Sequence, residues 1–319
     1  MATIPKMHML ADVEQSIQAL WGTHLVWKEE RDKDAMNLAR ATIQKHIGAL
    51  SDECAFITRG ILLEADACAS TQHAVIEDYF DTHAPLFLRQ YSDVRAYLLA
   101  GDFLYTRNQL PNDCEQGLLK IAQMHVNEKD TMTTVLARRT ICRFSEDAEE
   151  IEHILRNVQK SGSSRQYVIL AHAGIPHLPT PAVREISECI VDFSQSGREP
   201  EQKALARFYE RAIDRMISTL IALREEASQQ HLESTPIMLD YERAIERAFG
   251  EILSLEGVDK EQALVAVHLA QYARCVGDKT GLREFLKQGR EHAKSLNPDD
   301  GGSILSALQK ISDPQGGGE

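Results

Sequence analysis

The sequence predicts an all-α protein of irregular stacked helical hairpins, a helical-repeat-like stack or multi-helix bundle with no β-sheet, on three observations. Apolar residues recur at three- and four-residue intervals in segment after segment, the spacing that places them on one face of a 3.6-residue helix. No run of alternating β-branched residues stands between turn signals, as a strand would require. Ten prolines in 319 residues leave long stretches free for helix.

Each element follows from local pattern. From Asp34 to Leu50, Met36, Leu38, Ala39, Ile43, Ile47 and Leu50 form one stripe. Ser51, Asp52 and Glu53 then cap a helix carrying Phe56, Ile57, Ile61, Leu62, Ala65 and Cys68. Pro85 suits a first helical turn, and the spacing predicts a helix from there through Tyr91 and Leu98 to a break at Gly101-Asp102. Asn112 and Asp113 can cap the segment of Leu118, Leu119, Ile121 and Ala122. Helices are expected over about 129–144 and 146–159, the second opened by Ser145-Glu-Asp, whose acids suit a helix N-terminus. Thr180-Pro181 opens a helix to Phe193, a long one runs from about Pro200 to Gln230, and Thr235-Pro236 begins the next. From Asp259, two helices meet at Gly277-Asp278.

That last pair carries Leu269, Ala270 and Tyr272 before Gly277, an order that resembles a tetratricopeptide repeat over about 40 residues, although the aromatic-to-glycine spacing is one residue longer and Gly289 stands where the second helix usually has Ala. The resemblance implies stacking of helical hairpins. Three prolines and a glycine between Ala171 and Pro181 mark a loop. The expected organisation is therefore an N-terminal helical region over 1–170, a proline-rich hinge over 171–181, a C-terminal helical region over 182–312 and a disordered tail over 313–319.

Composition narrows the function classes. The hydrophobic fraction of 43% and charged fraction of 26% are those of a folded chain. Net charge is −13, which repels phosphate backbones and anionic headgroups, so neither nucleic acid nor membrane is an expected partner. Six cysteines are scattered without a C-x-x-C pair and read as reduced core thiols. Acidic residues stand in the first 21 positions where a signal peptide needs its apolar run, and no stretch approaches a membrane span. A cytoplasmic protein is expected.

Few residues suggest chemistry. Glu77-Asp78-Tyr79-Phe80-Asp81 places carboxylates at i and i+3, able to hold magnesium for a diphosphate, and resembles the aspartate-rich motif of class I isoprenoid synthases. That resemblance implies a metal-binding role for Glu77, Asp78 and Asp81, with Asp78 and Asp81 catalytic. The second metal motif of such enzymes is not reproduced, since Gln116 and Gly117 follow Asn112-Asp113 and Ala307 follows Asp299-Asp300 and Ser303. Glu150 and His153 form one Glu-x-x-His pair without a second, and His172 and His177 stand in the proline-rich stretch without a third ligand. Arg138, Arg139 and Arg143 form a basic patch flanked by Glu128, Asp130, Glu146 and Asp147, which points to pairing within helices. Phosphate-binding glycine loops and the G-x-S-x-G elbow are absent.

The functional expectation is thus a helical scaffold or adaptor that binds another protein, with no cofactor and no catalytic activity evident in the sequence. The alternative is an all-α metal-dependent enzyme acting on a diphosphate-type substrate through the acidic cluster. The C-terminal half supplies arginines at helical spacing, among them Arg207, Arg211, Arg215, Arg243 and Arg247, and Arg274, Arg283 and Arg290 are the expected partner-binding residues. Planar guanidinium groups in a row favour an acidic peptide or face.

Overall fold

The computed structural model describes residues 55–60, 70–89, 93–127, 131–161, 164–195, 202–229 and 235–312, and no strand occurs among them. The helices are α1 (Ser70–Arg89), α2 (Val94–Thr106), a 3₁₀ turn (Asn112–Cys114), α3 (Glu115–His125), α4 (Thr131–Phe144), α5 (Ala148–Ser161) and α6 (Ser164–Gly174). They continue as α7 (Thr180–Gln195), α8 (Gln202–Gln229), α9 (Pro236–Leu253), α10 (Asp259–Val276), α11 (Lys279–Ser295) and α12 (Pro298–Ser312). Residues 55–60 are also helical, whereas the stripe over 34–50 and the tail over 313–319 lie outside the described residues. Among the described residues no helix is long and apolar enough to cross a membrane.

Short polar side chains fix the helix starts because the first N–H groups of a helix have no partner inside it. Asp147 Oδ1 accepts from the Glu149 and Glu150 amides at 3.0 and 3.3 Å and opens α5. Asp278 Oδ1 does the same for α11, accepting from Thr280 and Gly281 at 3.0 Å each. Just before it, Gly277 closes α10 in the left-handed region at φ 74°, where a side chain would be strained. Sequence pattern did not resolve α12, which Asn297 caps by accepting from the Asp299 and Asp300 amides at 3.1 and 3.0 Å.

Three expectations are corrected. Pro85 lies inside α1 instead of opening a helix, and the stripe of Phe80, Ala84 and Leu88 buried around it holds the helix through that position. Gly101 and Asp102 sit within α2 instead of ending it. A Cβ on Gly101 would lie 2.5 Å from Leu118 Cδ2, so this glycine serves the close approach of α2 and α3. The proline-rich stretch supplies only the turn at 175–179, α6 running on to Gly174.

The chain divides into two compact units, Met1–Gln166 and Tyr167–Glu319. In the first, α2 packs on α1, α3 and α4, and α4 also meets α3 and α5. Its core holds a run of rings: Phe56 lies 4.4 Å from Phe80 and 4.3 Å from Phe87, and Phe80 4.8 Å from Phe103.

In the second unit α7 packs on α8 and α9, α8 on α9 and α10, α9 slightly on α10, and α10 on α11 and α12, which also meet each other. Polar contacts fix the directions within one layer. Early in both helices, Arg207 Nε of α8 stands 3.7 Å from Glu261 of α10, and late in both, Arg224 Nε donates to Tyr272 at 2.9 Å. Midway, His268 of α10 lies between two carboxylates of α8, Nε2 3.2 Å from Glu210 and Nδ1 3.1 Å from Asp214. Lys260 Nζ reaches Asp300 at 2.7 Å near the start of α12, and Arg274 reaches carbonyls at its end. So α8, α10 and α12 run parallel, side by side, with α11 across the α10–α12 seam. Ala263, Val267, Ala270, Leu286, Ala293, Ile304, Leu308 and Ile311 fill that seam.

Candidate functional site

Helix α11 has two unlike sides. Leu286, Gly289 and Ala293 are buried, with Leu282 and Phe285 partly so, at the spacing of a single stripe. A Cβ on Gly289 would sit 3.0 Å from Leu308 and 3.3 Å from Ala266, so glycine lets α11 settle into the groove between α10 and α12. On the outer side Lys279, Arg283, Lys287, Arg290 and Lys294 are all exposed. Spaced by four, four, three and four residues, they lie within about 80° of one another around the helix and extend about 22 Å along it. Lys287 has a loose ion pair with Glu291 at 4.0 Å. Among the described residues, Arg283 and Arg290 have no hydrogen-bond or ion-pair partner.

Beside this basic row run Glu284, Gln288 and Glu291. Gln288 Nε2 donates to Glu284 Oε1 at 3.4 Å, whereas Gln288 Oε1 is buried without a hydrogen-bond partner. An open depression of about 480 Å³ follows the line between the two rows, lined by Thr280, Arg283, Glu284, Lys287, Gln288 and Glu291.

Of the three arginines singled out in the sequence, the fold brings Arg283 and Arg290 together and separates Arg274 from them. Arg274 Nη1 donates to the Lys310 and Ile311 carbonyls at 3.1 and 2.9 Å, satisfying acceptors that the end of α12 leaves open. Sequence reasoning passed over Lys279, Lys287, Lys294 and Gln288, although the spacing of the three lysines with the arginines was a signal that could have found them.

The other candidates are either tied to neighbours within the fold or exposed one by one. Glu77, Asp78 and Asp81 lie in the middle of α1 and not at a helix end, and Glu77 pairs with Arg107 at 2.9 Å. Asp78 and Asp81 are exposed. Glu150 accepts from Ser145 Oγ at 2.7 Å and from Gln123 Nε2 at 3.2 Å, which ties α3 to the start of α5. His153 is exposed, and His172 and His177 are half-buried. Among the described residues, no three His, Cys, Asp or Glu side chains converge as a metal-ion site.

The basic patch on α4 is partly a correction. Arg139 Nε lies 3.4 Å from Asp102 Oδ1, and Arg143 pairs with the same oxygen and donates to the Asp102 carbonyl at 3.2 Å. The partner therefore comes from another helix, because packing α4 on α2 places Asp102 nearer than the acids at the helix ends. Arg139, Arg143 and Asp102 are only 11%, 13% and 12% exposed. The cysteines differ from expectation as well. Cys142 is buried, but Cys114 and Cys189 are half-buried and Cys275 is exposed, while Cys54 and Cys68 lie outside the described residues. Burial, with the Glu150 charge adding to it, pushes the Cys142 thiol up to about 12 against the pull of Arg138 and Arg143.

A second polar group joins three helices of the C-terminal unit. Tyr272 donates to Glu242 Oε1 at 2.7 Å and accepts from Arg224 Nε at 2.9 Å, while Arg224 also pairs with Glu242. Burial works to raise the Glu242 pKa, but the bonds from Tyr272 and Arg224 and the Arg224 charge outweigh it and hold the carboxyl below its ordinary value. Burial raises the Tyr272 pKa, and the bond to Glu242 raises it further.

No family model, no curated protein sequence and no solved structure matches this chain.

Proposed function

We propose that the protein is a helical scaffold that binds another protein, and that the outer side of α11 is a contact surface for an acidic face of that partner. One observation carries the reading: on a chain of net charge −13, five exposed basic residues form a single row, and its two arginines have no hydrogen-bond or ion-pair partner among the described residues. Internal pairing would have been the simplest use for Arg283 and Arg290, and the arrangement leaves both free. The packing of the C-terminal unit agrees with this reading, since stacked helices hold α11 rigidly by one side and present the other. Glu284 and Glu291 beside the row would repel a continuous phosphate backbone, which favours a protein over nucleic acid.

The test is cross-linking in native lysate with the full chain and with the Arg283→Glu/Arg290→Glu variant. A specific partner cross-linked to α11 and lost in the folded variant supports the reading. An unchanged set of cross-linked proteins removes α11 from consideration. Turnover of a diphosphate substrate that survives this change but is lost on replacing Asp78 and Asp81 would replace the scaffold reading with the enzymatic one.

A further inference from the structure

Resting on that reading, we infer that the occupant of the α11 surface is a helix of another protein carrying two charge rows, an acidic row set against Lys279 to Lys294 and a donor row of Lys or Arg groups set against Glu284 and Glu291. A purely acidic segment meets only half of this surface. Its carboxylates would face Arg283 and Arg290 well, but its flank would lie against two glutamates of like charge. Glu284 and Glu291 are exposed, the first accepting from Gln288 Nε2 at 3.4 Å and the second lying 4.0 Å from Lys287. Two exposed carboxylates with such long contacts gain from opposite charge set against them, so a partner that supplies it is favoured over one that does not. The depression between the rows, bordered by Arg283 and Lys287 on one side and Glu284, Gln288 and Glu291 on the other, is the line along which such a helix would lie.

The helical form of the occupant follows from spacing. The basic residues recur with the helical period over about 22 Å, so a partner helix lying along α11 can bring acids at intervals of three and four residues against all of them. An extended strand advances about 3.3 Å per residue with alternate side chains facing away, and keeps register with only part of the row. Exposed ion pairs are individually weak and screened by salt, so the contact is transient and its selectivity resides in the donor row.

The test uses the full-length protein and three fluorescein-labelled helical peptides read by anisotropy. The first carries an acidic row with Lys and Arg on the adjoining stripe, the second has the same composition with the rows scrambled, and the third has the acidic row with a neutral adjoining stripe. The first is expected to bind about tenfold more tightly than either of the others, a factor of ten being within the reach of a few surface pairs. Glu284→Gln/Glu291→Gln, which removes both carboxylates of the adjoining row, is expected to bring the first peptide close to the third. Arg283→Glu/Arg290→Glu should weaken all three and gain affinity for a peptide with the acidic row replaced by lysines. If the three peptides bind equally, and charge reversal still weakens them, the two-row occupant is wrong while the acidic-partner reading stands. If no peptide binds, or charge reversal changes nothing, the reading beneath it falls as well. Tighter binding of a duplex or single-stranded oligonucleotide than of any peptide would assign the row to nucleic acid and overturn both.

Discussion

Gly301 lies so close to Ala293 that a Cβ added to it would stand 2.6 Å from the Ala293 carbonyl oxygen, whereas one added to the neighbouring Gly302 would meet nothing within 4 Å. Two adjacent glycines of α12 therefore have opposite reasons to be glycine, or none. Gly301→Ala must push α12 away from the end of α11, and a cost of about 1–3 kcal/mol is expected for that overpacking. Gly302→Ala should stabilise by about 0.5–1 kcal/mol, by restricting the unfolded chain and favouring helix. Urea unfolding of the two variants should move the midpoint in opposite directions, and a shared direction would mean that this contact is not tight.

Arg274 should act on stability and not on partner binding. Its guanidinium closes the last turn of α12, so Arg274→Ala is expected to cost about 1 kcal/mol and speed amide exchange in the last turn of α12. Peptide affinity at α11 should remain that of the parent chain, in contrast to the Arg283 and Arg290 variants. A loss of binding in stable Arg274→Ala protein would return this arginine to the contact surface.

Asp102→Ala is the substitution expected to harm the N-terminal unit most. It removes a carboxylate that two mostly buried guanidinium groups share, and breaking a buried ion pair from one side commonly costs about 3–5 kcal/mol. Asp102→Asn should cost less, because it keeps a polar acceptor in place. Equal and small effects of both, below about 1 kcal/mol in chemical unfolding, would show the cluster to be solvated.

The Glu242 and Tyr272 pair should set both edges of a pH profile of stability. Glu242 has a folded pKa below its unfolded one, so its contribution is present above the ordinary carboxylate range near pH 4.5 and fades as pH falls through the depressed value. Tyr272 is the reverse. Its folded pKa is raised above the ordinary 10, so its contribution is present below pH 10 and is lost as pH climbs towards the raised value. Melting temperature measured across pH should lose part of its acid slope in Glu242→Gln and part of its alkaline slope in Tyr272→Phe. Slopes unchanged in both variants would mean that the three groups do not hold together in solution.

Thiol reactivity should rank with position. Cys275 is exposed and is expected to react first with an aromatic disulfide in native protein. Cys142, buried and with its thiol pushed up to about 12, should react only after unfolding. Mass mapping of labelled peptides at short and long times checks the order.

Local pattern was enough for most of the helices because the groups that start and stop a helix act within four residues. Thr235-Pro236, Asp147 and Gly277-Asp278 each carry their instruction in the chain itself, and each marks a helix boundary in the folded protein. The same reasoning misled at Pro85 and Gly101, where a residue with a strong local preference is held inside a helix by what packs against it. It also missed α12, whose two glycines obscure the stripe of Ile304, Leu308 and Ile311.

By itself the sequence determined the helical class, most helix boundaries and the excess of acid, since these depend on residue type and on interactions between near neighbours. Only the tertiary structure decided which charges are used and which are left over. Asp102 meets Arg139 and Arg143 from a different helix. Arg274 turns to a helix end 36 residues away. Arg283 and Arg290 remain on the free side of α11 because Leu286, Gly289 and Ala293 occupy the other. A charged side chain pairs with whatever the burial of distant apolar stripes brings within a few ångströms, and that distance is not written in the spacing of its neighbours.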